Sequence, residues 1–455
     1  DGGLVNHEYP NTTTNFEKAI NGTSVPIISH ETGQFQTYPD FDEIDKYRGV
    51  LFPYNMMIFR DRLMKAGMAS QAKDFHTASG KWSVELYKAD IEMDLRTKNM
   101  AGFQLLDIQD YPGQGSAYVG ILDAFMDSKD LVTPRRWREW CNDVVPLAEL
   151  PRFTYSEGDT IRWNTLVASY TANEDILKGK PIKWEIFDVE RTLKAHGSEV
   201  LCYTGNGAAL SDSNKPEQLT LVLSIDGTEY KNTYSLWVYP TDTGSVSNIT
   251  KNIITTDTLS PHILKQLQDG AKVLFMPRKS MYANQTVGGL VQTDYWNYRM
   301  FKTISENNKK PVSPGTLGLL VNDLSHPIFI NFPTQMHSNW QWASIVHESR
   351  PLIMDNMREG YRPLVQVIDN VERNHRLGLL FEFMVGKGKI VVCMSDLSKQ
   401  QQYPECKQLY NSILQYMNSD RFVPKDTLPA SSLQSLFESE HSSRKVQELR
   451  NISYD

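Results

Sequence analysis

The first part of the chain alternates strand, helix and strand. The apolar run "VPIIS", which starts at Val25, predicts a short buried strand. A helix follows, for which Ser79 is a suitable N-cap, and its apolar positions recur at helical spacing: Val84, Tyr87, Ile91 and Leu95. "FQLLDIQD" then predicts a second strand before the glycine-rich loop "PGQGSAYVG". This order of elements predicts an α/β fold with parallel strands.

Length and composition set the class of protein. A chain of 455 residues exceeds what one hydrophobic core usually organises, so we expect two to four domains. Its 40% hydrophobic and 22% charged residues are typical of globular proteins, and it lacks an apolar run of about 18 residues that could span a membrane. The net charge of -7 and the scattered Lys and Arg residues argue against a nucleic-acid surface. We therefore expect neither membrane nor nucleic acid as a partner.

The character of the sequence changes along the chain. Residues 1–150 carry the α/β pattern. Residues 151–248 contain short alternating runs broken by Gly, Asp and Asn, which predict about seven strands and an immunoglobulin-like β-sandwich. Helices and apolar strands alternate again in residues 249–425, which predicts a second α/β domain. Residues 426–455 form a polar, Ser-rich tail to which we assign no function.

Cysteine and histidine spacing gives no sign of a metal site. Cys141, Cys202, Cys393 and Cys406 show no C-x-x-C spacing, so neither a zinc ribbon nor a disulfide scaffold is predicted. A bridge between Cys393 and Cys406 stays open on distance grounds. The histidines do not pair at ligand spacing. The glycines of "PGQGSAYVG" also miss the spacing of a phosphate-binding loop. We therefore expect no metal and no cofactor.

Two sequence motifs resemble those of a known family. "PIISHETG" and, after a helix, "AGFQLLDIQDY" stand in the order of the last two strands of a (β/α)8 barrel, followed by a β-rich and an α/β segment. The chain thus resembles the C-terminal part of glycoside hydrolase family 2, the β-galactosidase and β-glucuronidase group. The resemblance implies that residues 1–150 supply the end of a catalytic barrel and that residues 249–425 are similar to a glutamine-amidotransferase domain. The usual tryptophan of the eighth strand is absent here.

The resemblance also implies site residues. Glu31 matches the nucleophile at the end of the seventh strand, although the residue type alone fits a helix cap or loop carboxylate equally well. His30 is either a sugar contact or a structural histidine of the barrel rim. The substrate contacts predicted after the next strand are Asp107, Gln109, Asp110 and Tyr111. Asp107 and Gln109 share one face of that strand and Asp110 faces the other way.

Other side chains are weaker candidates for the same chemistry. Phe35, Tyr38 and Tyr118 could stack on a sugar, although core packing is the more common role of each. The arginines of "PRRWREW" could bind an acidic sugar or lie on a solvated face. Cys393 lacks the G-x-C-x-G elbow that an amidotransferase nucleophile needs, so we expect a buried core residue there.

The predicted function is that of a retaining exo-β-glycosidase that acts on carbohydrate. The resemblance implies that the acid/base carboxylate lies upstream of Asp1, in a missing N-terminal part of the same protein, since Glu8 in "NHEYP" fits that role poorly. It also implies a secreted or periplasmic bacterial setting. The alternative is an inactive carbohydrate-binding or scaffolding protein of the same fold. The sequence leaves the sugar and the oligomeric state open.

Overall fold

The computed structural model describes residues 4–200, 205–211, 213–241 and 252–439. Its α-helices are α1 Glu17–Ile20, α2 Tyr54–Lys65, α3 Ala72–Arg96, α4 Pro134–Trp137, α5 Pro261–Asp269, α6 Tyr298–Asn307, α7 Ala343–His347, α8 Pro404–Asn418 and α9 Ala430–Glu438. Its strands are β1 Ile27–Thr32, β2 Met100–Leu105, β3 Val144–Glu149, β4 Thr154–Ser156, β5 Thr160–Ser169, β6 Pro181–Phe187, β7 Leu193–Val200, β8 Gly205–Leu210, β9 Glu217–Ile225, β10 Lys231–Tyr239, β11 Ile253–Thr256, β12 Lys272–Phe275, β13 Thr316–Val321, β14 Leu352–Ile353, β15 Val365–Asp369, β16 Leu377–Val385 and β17 Gly388–Cys393. Among these helices, none has the length and apolar character needed to cross a bilayer.

Strands β1 and β2 form a parallel pair. Thr32 of β1 lies opposite Leu105 of β2, and helix α3 makes the crossover between the strands. The expectation that the first strand is buried is wrong, because Ile28 is 61% exposed. The reason is that β1 pairs only with β2 within the described residues, so its other edge is open. A barrel therefore stays a prediction.

Helix α3 begins earlier than its sequence pattern indicates. It starts at Ala72, so Ser79 lies inside the helix and is not its N-cap. The Ser79 hydroxyl instead donates to the carbonyl of Phe75, one turn back, and accepts from the backbone N–H of Tyr38. The predicted apolar face is confirmed, since each of its members is buried: Val84, Tyr87, Ile91 and Leu95.

Helix α3 contacts all the other layers of the fold. Its Trp82 donates from Nε1 to the carbonyl of Val291 at 2.7 Å and packs edge-on against Trp340, with 4.9 Å between ring centroids. Further along the helix, Val84 and Ile91 pack with Trp140 and with strand β3. Burial of this kind on several faces is expected of a helix in the centre of a large protein.

Three charged side chains of α3 are buried one turn apart. Lys88 and Arg96 both contact the carboxylate of Glu92, and the Arg96 Nη1 to Glu92 Oε2 distance is 3.5 Å. Asn232 and Tyr234, on strand β10, donate to the same carboxylate at 2.7 and 3.2 Å. The buried charges are therefore paired and hydrogen-bonded, which is the condition under which a protein interior accepts them.

The segment between residues 144 and 239 is built from two β-sheets. One has the order β4-β10-β9-β6-β7 and the other the order β3-β5-β8. They meet around a shared core that includes Leu221 and Leu236, and the backbone N–H of Ala148 donates to the Tyr234 hydroxyl at 3.2 Å. The predicted β-rich region is confirmed, while its immunoglobulin-like topology stays a prediction. Strand β3 precedes the predicted boundary at 150/151 yet pairs with β5.

The last sheet is mixed. Its order is β11-β12-β17-β16-β15-β13, with β14 on β16, and β11, β12 and β17 are parallel while the pairs from β17 to β13 are antiparallel. The first residues of the predicted tail pack on this sheet. The backbone N–H of Leu428 donates to the carbonyl of Met384, and the ring of Phe437 packs on that of Phe275. The predicted boundary at 248/249 and the tail from residue 440 onwards lie outside the described residues.

Cys393 and Cys406, in the part of the chain that contains the mixed sheet, are free thiols. Cys393, at the end of β17, is buried, and burial raises its pKa to about 12, which does not suit a nucleophile. Cys406, at the start of α8, is also free, so the bridge to Cys393 that the sequence left open is not formed. Cys202 lies outside the described residues.

We expect Glu92→Gln to destabilise the fold strongly. The amide would leave Lys88 and Arg96 buried without a counter-charge, and breaking a buried pair in this way costs about 3–5 kcal/mol. Urea unfolding followed by circular dichroism measures the loss. The matched control is Asp61→Asn, which removes an exposed i,i+4 pair with Lys65 and should cost less than about 0.5 kcal/mol. Equal effects of the two substitutions would contradict the role given to Glu92.

Candidate functional site

Strand β1 ends in an irregular turn that carries Glu31. The pairing with β2 shifts between Ser29 and Thr32, so the chain bulges at this point. Glu31 has φ 57° and Gln34 has φ 66°, and both values fall in the left-handed region that side chains other than glycine rarely adopt. Gly33 between them has φ 96°. The surrounding structure must therefore hold this turn in place.

Two carboxylates of α3 hold the turn from the helix side. Asp90 Oδ2 accepts the backbone N–H of Gly33 at 2.9 Å. One helical turn later, Asp94 Oδ2 lies 3.5 Å from the Thr32 hydroxyl, which is itself 2.8 Å from the Ser29 hydroxyl. The i,i+4 spacing places both carboxylates on one face of the helix. These contacts hold the chain directly after Glu31, at Thr32 and Gly33.

Both carboxyl groups hold their protons unusually tightly. Burial raises the pKa of Asp90 to about 6. Burial, with the nearby charge of Asp90, raises the pKa of Asp94 to about 7. The second oxygen of Asp94, Oδ1, is buried and has no hydrogen-bond partner among the described residues. Ionising the pair at neutral pH therefore works against the stability of the fold.

The Glu31 carboxylate lies on the open side of the turn. Its side chain is 50% exposed, Oε2 accepts from Gln34 Nε2 at 3.3 Å, and Oε1 is 3.6 Å from His30 Nε2. The other ring nitrogen of His30 bonds to Gln104 Oε1 on β2 at 2.8 Å. A carboxylate in this position can meet a ligand, and Gln34 donates a hydrogen bond to one of its oxygens. The carboxyl ends of parallel strands are where α/β proteins most often bind ligands.

A cleft of about 760 Å³ extends from Glu31, and we call it the Glu31 cleft. It lies between the end of β1, helix α3 and the segment 292–301. Three predicted residues, His30, Glu31 and Phe35, line it together with Gln34 and Asp90. Side chains that the sequence reasoning did not identify also line it: Asp94, Tyr295, Trp296 and Phe301. The i,i+4 spacing of Asp90 and Asp94 could have been recognised in the sequence. No sequence pattern, however, indicates that residues 295–301 lie beside them.

The residues predicted after β2 lie elsewhere. None of Asp107, Gln109, Asp110 and Tyr111 belongs to the described lining of the Glu31 cleft. Asp110 is buried, pairs with Lys129 Nζ at 2.6 Å and accepts the backbone N–H of Gly120 at 2.9 Å. Asp107 and Gln109 are half-buried and Tyr111 is exposed. Their role as sugar contacts stays a prediction, and Asp110 already has partners within the fold.

The weaker candidates have structural partners. Tyr38 is fully buried and donates to Asn374 Oδ1 at 2.7 Å, while buried Tyr118 accepts from Asn55 Nδ2 at 2.9 Å. Neither ring can stack on a sugar in this arrangement. Arg136 is paired with Glu139 and lies over the Trp140 ring, whereas Arg135 and Arg138 are exposed, as expected of a solvated face.

We expect Gly33→Ala to distort the turn that holds Glu31. A Cβ at position 33 would lie 2.1 Å from Tyr87 Cε1, and overpacking of a buried site costs about 1–3 kcal/mol. Gly22→Ala is the matched control, because Gly22 also has a positive φ, 84°, but has no heavy atom within 4 Å of the added carbon. The difference between the two variants in the free energy of unfolding isolates the clash. No difference would mean that the turn does not pack on Tyr87.

We expect Asp94→Asn to change how stability depends on pH. A carboxyl group whose pKa is raised by folding stabilises the folded state in acid, and that contribution is lost as the pH rises through the folded value of about 7. The variant should therefore gain stability relative to the native chain as the pH rises from the ordinary aspartate pKa of 3.8 to about 7, measured by urea unfolding at several pH values. Asp45→Asn, at an exposed aspartate, is the control. Parallel pH profiles for the native chain and Asp94→Asn would contradict the assignment.

Family models match two parts of the chain. Residues 254–438 match a domain of unknown function, DUF8487, and residues 159–240 match another, DUF8488. The first range contains the strands of the mixed sheet from β12 to β17, and the second contains β5 to β10. The search of the curated proteins gave no match. Nothing in these comparisons supports the amidotransferase-like resemblance of residues 249–425.

Solved structures with partial similarity include bacterial β-glucuronidases. The enzyme from Bacteroides uniformis is 10% identical over 37% of this chain and 20% of that chain, with a TM-score of 0.17. The enzyme from Parabacteroides merdae is 13% identical over 38% of this chain and 29% of that chain, with a TM-score of 0.15. This chain thus spans less than a third of the length of either. TM-scores this low do not assign a fold, so a function has to be argued from the geometry around Glu31.

Proposed function

We propose that the chain provides the nucleophile of a retaining exo-β-glycosidase, of the β-galactosidase or β-glucuronidase kind, and that Glu31 is this nucleophile. The observation that supports it is the accessible Glu31 carboxylate at the carboxyl end of a parallel strand, with the two residues that follow it held by Asp90 and Asp94. A nucleophile that attacks an anomeric carbon must be held close to its attack position, because a misplaced group loses most of its rate advantage. The clamp by α3 meets this requirement.

In the proposed reaction Glu31 attacks the anomeric carbon of a non-reducing-end sugar and forms a glycosyl ester, while the glycosidic bond breaks and the leaving oxygen takes a proton from the acid/base carboxyl group. Water then hydrolyses the ester, which frees the carboxylate and keeps the configuration of the sugar. Gln34 donates to Oε2 of Glu31 and orients the carboxylate, which leaves Oε1 as the oxygen that attacks. The substrate is a carbohydrate, and polysaccharide substrates would suit a secreted or periplasmic location.

The acid/base carboxylate must stand about 5–5.5 Å from Glu31 across the sugar. Asp90 and Asp94 do not suit this role, since both bond to β1 from the helix side. We propose that it comes from further strands of the same protein that pair with the open edge of β1 to complete a (β/α)8 barrel. The exposed apolar side chains Val25 and Ile28 favour such an addition, since an open edge with apolar residues invites pairing.

A binding or scaffolding role is the second candidate. It is favoured by the fact that the other carboxylates of the described cleft lining, Asp90 and Asp94, are already engaged with β1. A protein of this kind would hold a sugar in the Glu31 cleft without cleaving it.

We expect 2-deoxy-2-fluoro-β-glycosyl fluorides to label Glu31. Fluoride leaves without acid assistance, so the label reports the nucleophile alone and does not depend on the acid/base group. The galactosyl and glucuronyl reagents would be tested, and intact mass followed by peptide mapping locates the adduct. Glu31→Gln should abolish labelling, whereas Glu190→Gln, at an exposed glutamate in the β-sandwich, should leave it unchanged.

The outcomes separate the two candidates. An adduct on the peptide that contains Glu31 supports the glycosidase. A native chain that binds methyl β-galactoside or methyl β-glucuronide but takes up no label from either fluoride is a binding protein. An adduct at any other carboxylate removes Glu31 from the mechanism.

A further inference from the structure

The segment 294–296 is bound by both parts of the chain that leave the carboxyl ends of β1 and β2. After β1, Phe35 forms a backbone bridge with Tyr295, and the N–H of Gln36 donates to the carbonyl of Asp294 at 3.1 Å. After β2, the hydroxyl of Ser116 donates to the carbonyl of Trp296 at 2.6 Å. The segment is therefore held at the end of the parallel pair where Glu31 stands.

The rings of this segment are fixed and remain open to the cleft. Tyr295 and Trp296 are half-buried and both line the Glu31 cleft. Phe301 packs against them, with centroid distances of 5.7 Å to Tyr295 and 6.2 Å to Trp296. Asn297 follows directly and caps helix α6, accepting the N–H of Met300 at 3.0 Å. The segment is thus held by hydrogen bonds to its backbone and is followed directly by the capped start of helix α6.

Trp296 differs from the tryptophans of the core. Trp82, Trp140, Trp237 and Trp342 are each almost completely buried, as a packing role requires. Trp296 keeps part of its indole accessible inside a cleft that also holds a carboxylate. A flat apolar ring next to polar groups is the surface that the C–H face of a pyranose favours, because the ring contacts carbon while the hydroxyl groups reach the polar side chains.

We propose that Trp296, with Tyr295 at its side, is the stacking platform for the pyranose ring that occupies the Glu31 cleft, so that the mixed-sheet domain determines which sugars the site accepts. This inference rests on the proposed function for its substrate class, a β-glycoside. Trp296 acts here as a specificity-determining residue. The bonds from the segments after β1 and β2 to the backbone of 294–296 hold it at this end of the parallel pair.

The test is sugar binding in the Glu31→Gln variant, which separates binding from turnover. Methyl β-galactoside and methyl β-glucuronide are titrated by calorimetry and by tryptophan fluorescence. Trp296→Ala should weaken binding about tenfold, the effect of one aromatic contact of this kind, and Trp296→Phe should restore most of it. Trp184→Ala, at a half-buried tryptophan of the β-sandwich, is the matched control and should bind as tightly as its parent.

The readouts distinguish this inference from the proposed function. Loss of binding in Trp296→Ala, with recovery in Trp296→Phe and an unchanged near-ultraviolet dichroism spectrum, supports the platform even if the fluoride reagents do not label Glu31. Successful labelling of Glu31 together with equal affinity of Trp296→Ala and its parent overturns the platform and leaves the glycosidase intact. Failure of both methyl glycosides to bind also overturns it. If Trp296→Ala does not fold, Trp296→Leu keeps the apolar volume and tests the same contact.

Discussion

The fold depends on the way helix α3 satisfies the charged side chains that it buries. Glu92 receives Lys88 and Arg96 from its own helix and two donors from strand β10. Asp90 and Asp94, on the same helix, bond to the turn after β1. The buried charge of Glu92 would be too costly to keep without its partners, so its contacts fix where the helix stands relative to β10. The polar groups of one helix thereby set the register between the parallel pair and the β-sandwich.

This arrangement links the candidate site to the core. Trp82, about two turns before Asp90, bonds to Val291, and the chain continues from there to the segment that carries Trp296. The same helix therefore supports Glu31 from one side of the cleft and the aromatic segment from the other. A site assembled from distant parts of the chain gains its precision from such a rigid element rather than from its loops.

The sequence predicted part of this from local patterns. Helical spacing predicted the apolar face of α3. The abrupt end of an apolar run predicted that Glu31 lies at the end of β1. The prediction that β1 is buried was wrong, because the burial of a strand depends on its neighbours. The pattern of one strand does not indicate whether neighbouring strands are present. The start of α3 was missed because Ser79 suits a cap as well as it suits a bond to the carbonyl one turn back. Trp296 could not be predicted, since only long-range contacts bring it beside Glu31.

The left-handed backbone at Glu31 has a consequence for how the chain can change. Glycine adopts φ near 57° without steric penalty, whereas glutamate does not. A chain selected for folding alone would favour glycine at this position, because glycine would relieve the steric strain of the turn. Under the proposed function, folding and chemistry thus make opposite demands on a single residue, since the strained position has to keep its glutamate.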